Sequence, residues 1–186
     1  MTPLKLVVLF CLLLFSAQTL ADRIVDSDKW TRQYDRYFRK YTKHYFGPHF
    51  EWRWFKAQAI AESNLNPKAR SWVGAKGIMQ IMPATYREIK GQNPHFFKID
   101  SPKWNIAAGI YYDRQLYRKW QRGFDTKERL ALMFGGYNAG HSRIRRAYKK
   151  ALKEYSKVRR WRQLEHLVPK ETQGYVRKIR RYMKNK

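Results

Sequence analysis

Acidic side chains are scarce in this sequence of 186 residues. It contains 14 Asp and Glu against 40 Lys and Arg, which gives a formal net charge of +26 at pH 7. A charge of this size attracts polyanions, namely nucleic acid, anionic lipid headgroups or an acidic cell envelope. For any single Lys or Arg, solvation of a helix face is the simpler interpretation.

Cysteine is almost absent, since Cys11 is the only one in the chain. A single cysteine excludes a disulfide within the chain. Histidine is also sparse, and its positions lack the spacing of metal ligands; they are His44, His49, His95, His141 and His166. Neither a calcium-binding loop nor a glycine-rich phosphate loop occurs. We therefore expect neither a metal nor any other cofactor.

Long hydrophobic runs are missing as well. The longest spans residues 6–15, whereas a membrane span takes about 20 residues. Lys5 precedes this run and a stretch ending at Ala21 follows it, which is the layout of a secretory signal peptide. We predict residues 1–21 as a signal peptide cleaved after Ala21, with retention as a membrane anchor as the alternative. The protein is then exported, to the periplasm or the cell envelope.

Strand-type alternation of apolar and polar residues is not sustained anywhere, whereas apolar residues recur at helical spacing almost throughout. We predict a mainly α protein with at most a small β-hairpin near Gly74 and Gly77. Residues 22–47 are predicted as an amphipathic N-terminal helical arm with an aromatic stripe, formed by Trp30, Tyr34, Tyr37, Phe38, Tyr41 and Tyr45. The stripe packs on the following domain in our preferred interpretation and lies on a membrane in the alternative.

Residues 48–186 are predicted to form one helical domain. Its helix signals are local ones: proline at a first helical position, a polar cap, and two acids at capping-box spacing. They indicate helices that start at Pro83, near Asn105, after Asp125 and after Pro169. We expect the helix after Asp125 to end in the Gly135-Gly136 pair. The last two helices carry Arg and Lys along their outer faces.

One acidic residue stands in an unfavourable place. Glu62 lies in AQAIAESNLNP, at the last turn of an otherwise apolar helix that Pro67 cannot continue. The negative end of the helix dipole and the loss of water both oppose ionisation there and raise its pKa. A carboxylic acid protonated near neutral pH can donate a proton to a leaving oxygen and then act as a base, as glycosidic bond cleavage requires. Position alone leaves an ordinary exposed glutamate as the alternative.

Five sequence blocks change the weight of these alternatives. They are ESNLNP from Glu62, ARSWVGAKGIMQIMPAT from Ala69, NIAAGIYY from Asn105, GGYNAG from Gly135 and ETQGYV from Glu171. In this order the chain resembles the lytic transglycosylases of the soluble (SLT) type over roughly residues 50–180. Each block alone is a weak motif, and the five together are specific. The resemblance implies a lysozyme-like helical fold of the goose type.

The resemblance also implies roles for individual residues. Glu62 is then the catalytic acid/base, Glu171 supports the site from behind, and the sugar groove is lined by Ser71, Met79, Gln80, Tyr137 and Asn138. Amide side chains offer both a donor and an acceptor to acetamido groups, and a tyrosine hydroxyl can orient a carboxyl. Met79 as a core residue and Glu171 as an ordinary helix-start residue are equally weighted alternatives.

A second carboxylate, which ordinary glycosidases use, is not evident around Glu62. The resemblance implies a route without one, in which Glu62 cleaves the β-1,4 bond between N-acetylmuramic acid (MurNAc) and N-acetylglucosamine (GlcNAc) of peptidoglycan without water. The product end is then 1,6-anhydro-MurNAc. A hydrolase that recruits Asp100, Asp113 or another acid is the first alternative.

A basic module that binds nucleic acid or anionic membrane through its C-terminal helices is the second alternative. Export disfavours nucleic acid as the partner. Peptidoglycan glycan strands are the partner that the enzyme prediction implies, and an anionic membrane or envelope surface is compatible with it. A secretion or conjugation apparatus is a further candidate partner, because opening the wall for it, wall recycling and phage entry require the same chemistry.

Overall fold

The computed structural model of the protein describes residues 23–121 and 123–185. The predicted signal peptide, Cys11 and the cleavage position after Ala21 lie outside these residues. The described residues form seven α-helices: α1 (Asp35–Phe46), α2 (Arg53–Ser63), α3 (Pro83–Gln92), α4 (Pro102–Arg118), α5 (Thr126–Ala139), α6 (His141–Glu154) and α7 (Lys170–Tyr182). Short 3-10 helices lie at Ile24–Asp26, Trp161–Gln163 and Glu165–Leu167. The prediction of a mainly α protein is confirmed.

Helices α4 and α5 form the centre of the fold. Helix α4 contacts α1, α3 and α5, and α5 in turn contacts α6 and α7. In α5 every residue from Leu130 to Gly136 is buried, because this segment is apolar on all sides and such a helix is stable only inside other helices. None of the helices in residues 23–121 and 123–185 has the length and hydropathy of a membrane span.

The aromatic stripe of the predicted arm faces the core. Phe38 and Tyr41 of α1 are buried in the same hydrophobic cluster as α4 and α5, and α1 lies against α4. The preferred interpretation, packing on the following domain, is confirmed. The helix begins at Asp35, later than the stripe suggests, and Trp30 packs edge-on against Tyr182 of α7 at 5.8 Å between ring centroids.

The start of α4 differs from the prediction. The helix begins at Pro102, and Asn105 is buried inside it instead of capping it. The Asn105 side chain accepts a hydrogen bond of 2.8 Å from the Met79 backbone N–H and donates to Lys76 O at 2.9 Å and to Ile99 O at 3.0 Å. Asn105 therefore ties two loops to α4, a tertiary role that its local capping preference does not indicate.

The end of α5 also differs from the prediction. Gly135 and Gly136 do not end the helix, which continues to Ala139. A Cβ on Gly135 would lie 2.9 Å from the ring of Trp161, so the glycine is needed for close packing and not for a turn. The predicted start of the same helix is confirmed, since Asp125 Oδ1 accepts a hydrogen bond of 2.9 Å from Glu128 N.

The segment between α2 and α3 holds the only ladder-like contacts among the described residues apart from one bridge near the termini. Lys76 forms antiparallel bridges with both Arg70 and Ile81. Gly74 and Gly77 have φ of +88° and +75° and make the turns that fold the segment back on itself. The segment matches the predicted small hairpin, which we name the 69–82 loop.

Candidate active site

Glu62 occupies the last turn of α2. The helix ends after Ser63 because Asn64 and Leu65 adopt left-handed backbone, with φ of 53° and 64°. The Glu62 side chain is half-buried, and its Oε1 accepts a hydrogen bond of 2.5 Å from the hydroxyl of Tyr175 in α7. Since α7 packs against α2, a residue 113 positions later in the chain completes the surroundings of this carboxyl.

The surroundings of Glu62 hold it between two protonation states. The pKa of Glu62 is raised to about 7. Burial is the largest cause and raises it, the hydrogen bond from Tyr175 and the charge of Lys178 lower it, and the charge of Glu171 raises it. Near neutral pH the acid and its conjugate base therefore coexist. This is the condition for a group that must first donate and then accept a proton.

Lys178 is fixed at the C-terminal end of α2. Its Nζ donates a hydrogen bond of 3.3 Å to Ala61 O, one of the last carbonyls of a helix, where a cation is favourable. The same ammonium stabilises the ionised form of Glu62. Lys178 thus opposes the penalty that burial and the helix end impose on the carboxylate.

Two tyrosine hydroxyls face this site as neutral donors. Tyr137 of α5 donates a hydrogen bond of 2.8 Å to Met79 O, and its ring lies edge-on to Tyr112 at 5.4 Å between centroids. Burial, and after it the charge of Glu62, raises the pKa of Tyr137 and of Tyr175 well above the usual tyrosine range. Both phenols therefore stay protonated while Glu62 changes its charge.

Ser71 and Gln80 lie in the 69–82 loop and hold its shape. Ser71 Oγ accepts a hydrogen bond of 2.9 Å from Ala75 N. Gln80 has left-handed backbone with φ of 45°, and its Nε2 donates to Gly77 O at 2.9 Å and to Ala69 O at 3.2 Å. The donor end of the Gln80 amide is thus committed to the loop, so a ligand can use its acceptor end.

The Met79 side chain lies in the core, which was the alternative to a place in the sugar groove. Its side chain is fully buried, and a Cβ on Gly109 of α4 would lie 2.8 Å from it. The backbone of Met79, in contrast, belongs to the site. Its N–H donates to Asn105 and its carbonyl accepts the hydrogen bond from Tyr137, so this residue links the loop to α4 and α5.

Asn138 and Glu171 are brought together by the start of α7. Thr172 Oγ1 donates a hydrogen bond of 2.7 Å to Asn138 Oδ1, and Asn138 Nδ2 donates one of 3.4 Å to Glu171 Oε1. Glu171 is exposed. It supports the orientation of Asn138, and its charge acts on Glu62.

Tyr175 and Lys178 escape prediction from the sequence as site residues. A signal was present, because Glu171, Tyr175 and Lys178 follow one another at i, i+4 and i+7 and therefore share one face of α7. What the spacing does not tell is that this face meets the end of α2.

Asp113 is an acid inside the core. It is fully buried in α4, and Gln58 Nε2 of α2 donates a hydrogen bond of 3.2 Å to its Oδ1. Burial raises the pKa of Asp113 well above its ordinary value, the bond from Gln58 lowers it and the charge of Glu62 raises it. Among the described residues Asp113 Oδ2 and Gln58 Oε1 have no hydrogen-bond partner. The spacing of Asp113 with Ile110 and Tyr117 is the sequence signal that it faces inward.

Within residues 23–121 and 123–185, no group of three or more His, Cys, Asp or Glu is placed to hold a metal ion. The histidines serve separate contacts, such as His166 with Glu154 at 3.2 Å and His141 beside the ring of Trp120. The expectation that the protein needs no cofactor stays a prediction.

Known proteins resemble this chain in sequence and in fold. The family described as Transglycosylase SLT domain matches residues 37–159, more than half of the chain. A membrane-bound lytic murein transglycosylase F of Desulfosudis oleivorans is 29% identical over 120 residues, which cover 64% of this chain and 25% of that protein. The protein of the same description from Shewanella woodyi is 26% identical over 147 residues, 78% of this chain and 30% of its own length.

Solved structures give the same picture. The 70 kDa soluble lytic transglycosylase of Escherichia coli superimposes with a TM-score of 0.64 and 28% identity over 80% of this chain and 23% of its own. The lytic transglycosylase Slt of Pseudomonas aeruginosa has a TM-score of 0.68 at 23% identity, over 81% of this chain and 23% of its own, and supports the fold alone. The predicted lysozyme-like fold is confirmed, and the chain spans less than a third of the length of these relatives.

Proposed function

The chain belongs to the transglycosylase SLT family, and on that premise we propose that it is an exported lytic transglycosylase of peptidoglycan with Glu62 as its single catalytic acid/base. One observation carries the proposal. A half-buried carboxyl with a pKa raised to about 7 stands at the position that the family resemblance marks as catalytic.

The reaction returns every proton that it uses. Protonated Glu62 donates its proton to the oxygen between MurNAc and GlcNAc, and the bond from that oxygen to the muramoyl C1 breaks. The acetamido group of the muramoyl unit stabilises the cationic C1. Ionised Glu62 then takes the proton of the muramoyl C6 hydroxyl, whose oxygen bonds to C1 and closes the 1,6-anhydro ring. No water is consumed, and Glu62 is again protonated.

Tyr175 and Lys178 support the middle of this sequence. After the first step Glu62 carries a negative charge in a half-buried place, and both groups favour that charge by a hydrogen bond and by electrostatic attraction. Without them burial would make proton donation costly. With them the two protonation states are balanced, so neither the first nor the last proton transfer is strongly uphill.

The acids that a hydrolase would recruit are poorly placed. Asp113 is fully buried, so its carboxyl cannot activate a water at the sugar. Asp100 pairs with Arg70 on the surface at 3.3 Å. Glu171 is exposed and its charge acts on Glu62, so it is the best candidate of the three for the base of a hydrolytic mechanism.

The proposed sugar contacts come from two elements. Ser71 and the acceptor end of Gln80 offer hydrogen bonds from the 69–82 loop, while Tyr137 and Asn138 offer them from α5. Glu171 positions Asn138 in this proposal. Met79 contributes its backbone only, since its side chain is buried.

Product analysis tests the proposal. Purified peptidoglycan sacculi are digested, and the ends of the released glycans are identified by mass spectrometry. Transglycosylation yields 1,6-anhydro-MurNAc ends, and reducing MurNAc ends alone would overturn it. If the parent gives reducing ends, their loss in Glu171→Gln with unchanged binding of glycan strands identifies Glu171 as the base of a hydrolase.

Glu62→Gln tests the catalytic residue. The variant loses the transferable proton but keeps the shape of the side chain, so we expect at least about 10²-fold slower lysis with an unchanged or higher Tm. Glu88→Gln is the matched control, because Glu88 is exposed on α3 and the substitution makes the same chemical change away from the site. Lysis by Glu62→Gln at the parental rate would show that another residue is the acid.

We also propose a location in the periplasm or at the envelope. Residues 1–21 carry the export signal in this proposal, whether they are cleaved or kept as an anchor. Two of the relatives are described as membrane-bound murein transglycosylases. A secretion or conjugation apparatus as partner stays a prediction from the sequence.

A basic binding module stays the second candidate function. The exposed Arg145, Arg146 and Arg181 on α6 and α7 favour it. If binding is the main function, charge reversal of these three residues would abolish retention on anionic vesicles. Glu62→Gln would then leave that retention intact. For cell-wall lysis we expect the reverse: Glu62→Gln abolishes lysis, and the charge reversals leave it.

A further inference from the structure

A cationic depression lies on the segment between α6 and α7. Its volume is about 590 Å³, and it is lined by Tyr155, Lys157, Arg159, Arg160, Arg162 and Gln163. The lining contains four cations and no acid. None of these residues belongs to the surroundings of Glu62 described above.

The four cations face outward because the residues between them are anchored in the core. Val158, Trp161 and Leu164 are buried, so this segment alternates between core residues and cations over a short stretch. Trp161 closes against Gly135 of α5, and its backbone N–H donates a hydrogen bond of 2.5 Å to Glu128 Oε2. The backbone that carries the cations is thereby fixed to α5.

Gln163 fixes the same backbone from within. Its Oε1 accepts hydrogen bonds of 2.8 and 2.9 Å from the backbone N–H groups of Arg159 and Arg160, and its Nε2 donates one of 3.0 Å to Lys157 O. Three hydrogen bonds from one uncharged side chain thus fix the backbone of the three residues that carry these cations. Such an arrangement reduces the ordering that a ligand must otherwise impose.

The cations of this depression are available for a ligand. In the described part of the chain, Lys157, Arg159, Arg160 and Arg162 form no ion pair with an acidic side chain, although His166 and, on α7, Arg177 and Arg180 do. Arg159 Nη1 donates only to a backbone carbonyl, Gly123 O, at 3.2 Å. Like charges held together without acids favour an anion with several oxygen acceptors.

We propose that this depression is a binding site for a phosphate group. Guanidinium groups match phosphate oxygens in pairs, and three arginines with one lysine supply more charge than one carboxylate would balance. The phosphate belongs to an anionic phospholipid headgroup or to a soluble phosphate compound of the envelope. The site goes beyond the proposed glycan cleavage and does not depend on it.

The full-length protein is tested with two probes in buffers free of phosphate: inorganic phosphate, and vesicles with or without phosphatidylglycerol in phosphatidylcholine. The decisive variant is Gln163→Ala, which leaves the net charge unchanged. We expect about tenfold weaker binding, the effect of about one hydrogen bond to a charged group. Arg159→Gln/Arg160→Gln/Arg162→Gln should weaken binding by about a hundredfold.

Lys29→Gln/Lys40→Gln/Lys43→Gln is the charge-matched control, since these three lysines are exposed on and before α1. If the two triple variants lose affinity equally and Gln163→Ala binds like the parent, the binding is diffuse and the proposal is wrong. A Tm measurement identifies any variant that fails to fold, and the arginine triple then decides the test in place of Gln163→Ala.

The two probes separate the sources of phosphate. Vesicle binding is assigned to the depression when Gln163→Ala or the arginine triple weakens it. Such binding of phosphatidylglycerol vesicles without binding of inorganic phosphate identifies a lipid headgroup, and binding of both identifies phosphate in general. If neither probe shows binding that depends on the depression, the proposal is wrong. Glu62→Gln should bind both probes like the parent, so failure of the catalytic proposal leaves this result intact.

Discussion

Replacing Tyr175 by Phe removes a single hydroxyl and, with it, the 2.5 Å hydrogen bond to Glu62 Oε1. The ring and its packing in α7 stay the same. The hydroxyl stabilises the ionised carboxylate more than the neutral acid, because it is a donor and the charged acceptor forms the stronger bond. Its removal therefore raises the pKa of Glu62 above its present value of about 7.

The size of this shift follows from the two bond strengths. A hydrogen bond to a charged group contributes about 1.5–3 kcal/mol and one between neutral groups about 0.5–1.5 kcal/mol. Their difference, about 1–1.5 kcal/mol, corresponds to about one pKa unit. Glu62 must be protonated to begin the reaction, so activity is present below its pKa and is lost as the pH rises through it. The falling limb of the pH profile should move to higher pH by about one unit.

The same variant should also be slower below that limb. The carboxylate formed after proton donation loses the stabilisation of about 1–1.5 kcal/mol, which lowers the plateau rate by about tenfold. The assay is the initial rate of sacculus solubilisation from about pH 4 to pH 10. Tyr148→Phe is the control, because Tyr148 packs in a separate cluster with Trp120 and Phe124.

A falling limb that stays in place or moves to lower pH would refute the reasoning. Glu62 would then not be the group whose ionisation ends activity, or Tyr175 would not be its hydrogen-bond donor. A lower rate without a shift would leave Tyr175 with a structural role only. The Tyr148→Phe profile should coincide with that of the parent protein.

Two further predictions concern stability. The pKa of Asp113 is raised in the folded state, so the folded protein keeps a proton that the unfolded chain releases, and stability falls by about 1.4 kcal/mol per pH unit between the unfolded pKa of about 3.9 and the folded pKa. Asp113→Asn removes this loss, and its Tm advantage over the parent should grow with pH; a constant difference from about pH 5 to pH 7 contradicts this. Gly109→Ala places a Cβ 2.8 Å from the buried Met79 side chain and should cost about 1–3 kcal/mol in denaturant unfolding. Gly91→Ala, with open space around it, should instead be neutral or stabilising by up to about 1 kcal/mol; equal effects of the two substitutions would contradict the packing argument.

Local rules predicted those helix ends that depend on local interactions. Pro83 begins α3 and Asp125 caps α5 as expected, because a proline at N1 and a side-chain cap act within one turn. The same rules failed at Asn105 and at Gly135. Both residues serve partners outside their own helix turn: Asn105 binds two loops, and Gly135 makes room for Trp161.

The candidate site divides in the same way. The pKa of Glu62 was expected to rise from its position at the end of an apolar helix, and the structure gives that direction. The buried side chain of Met79 was one of two equal interpretations, since a methionine at that position fits a core and a groove equally well. Tyr175 and Lys178 were not identified as site residues, and Asp113 was named only as an acid that a hydrolase could recruit, because their roles depend on which helices lie next to α2.

The sequence by itself determined the helical class and the acid at the end of α2. Each of these follows from periodicity, composition or a motif within a few residues. Tertiary structure alone decided what balances the charge of Glu62 and which arginines stand together in the depression after α6. The physical reason is that a pKa and a binding site depend on distances through space, and packing sets these between residues more than a hundred positions apart.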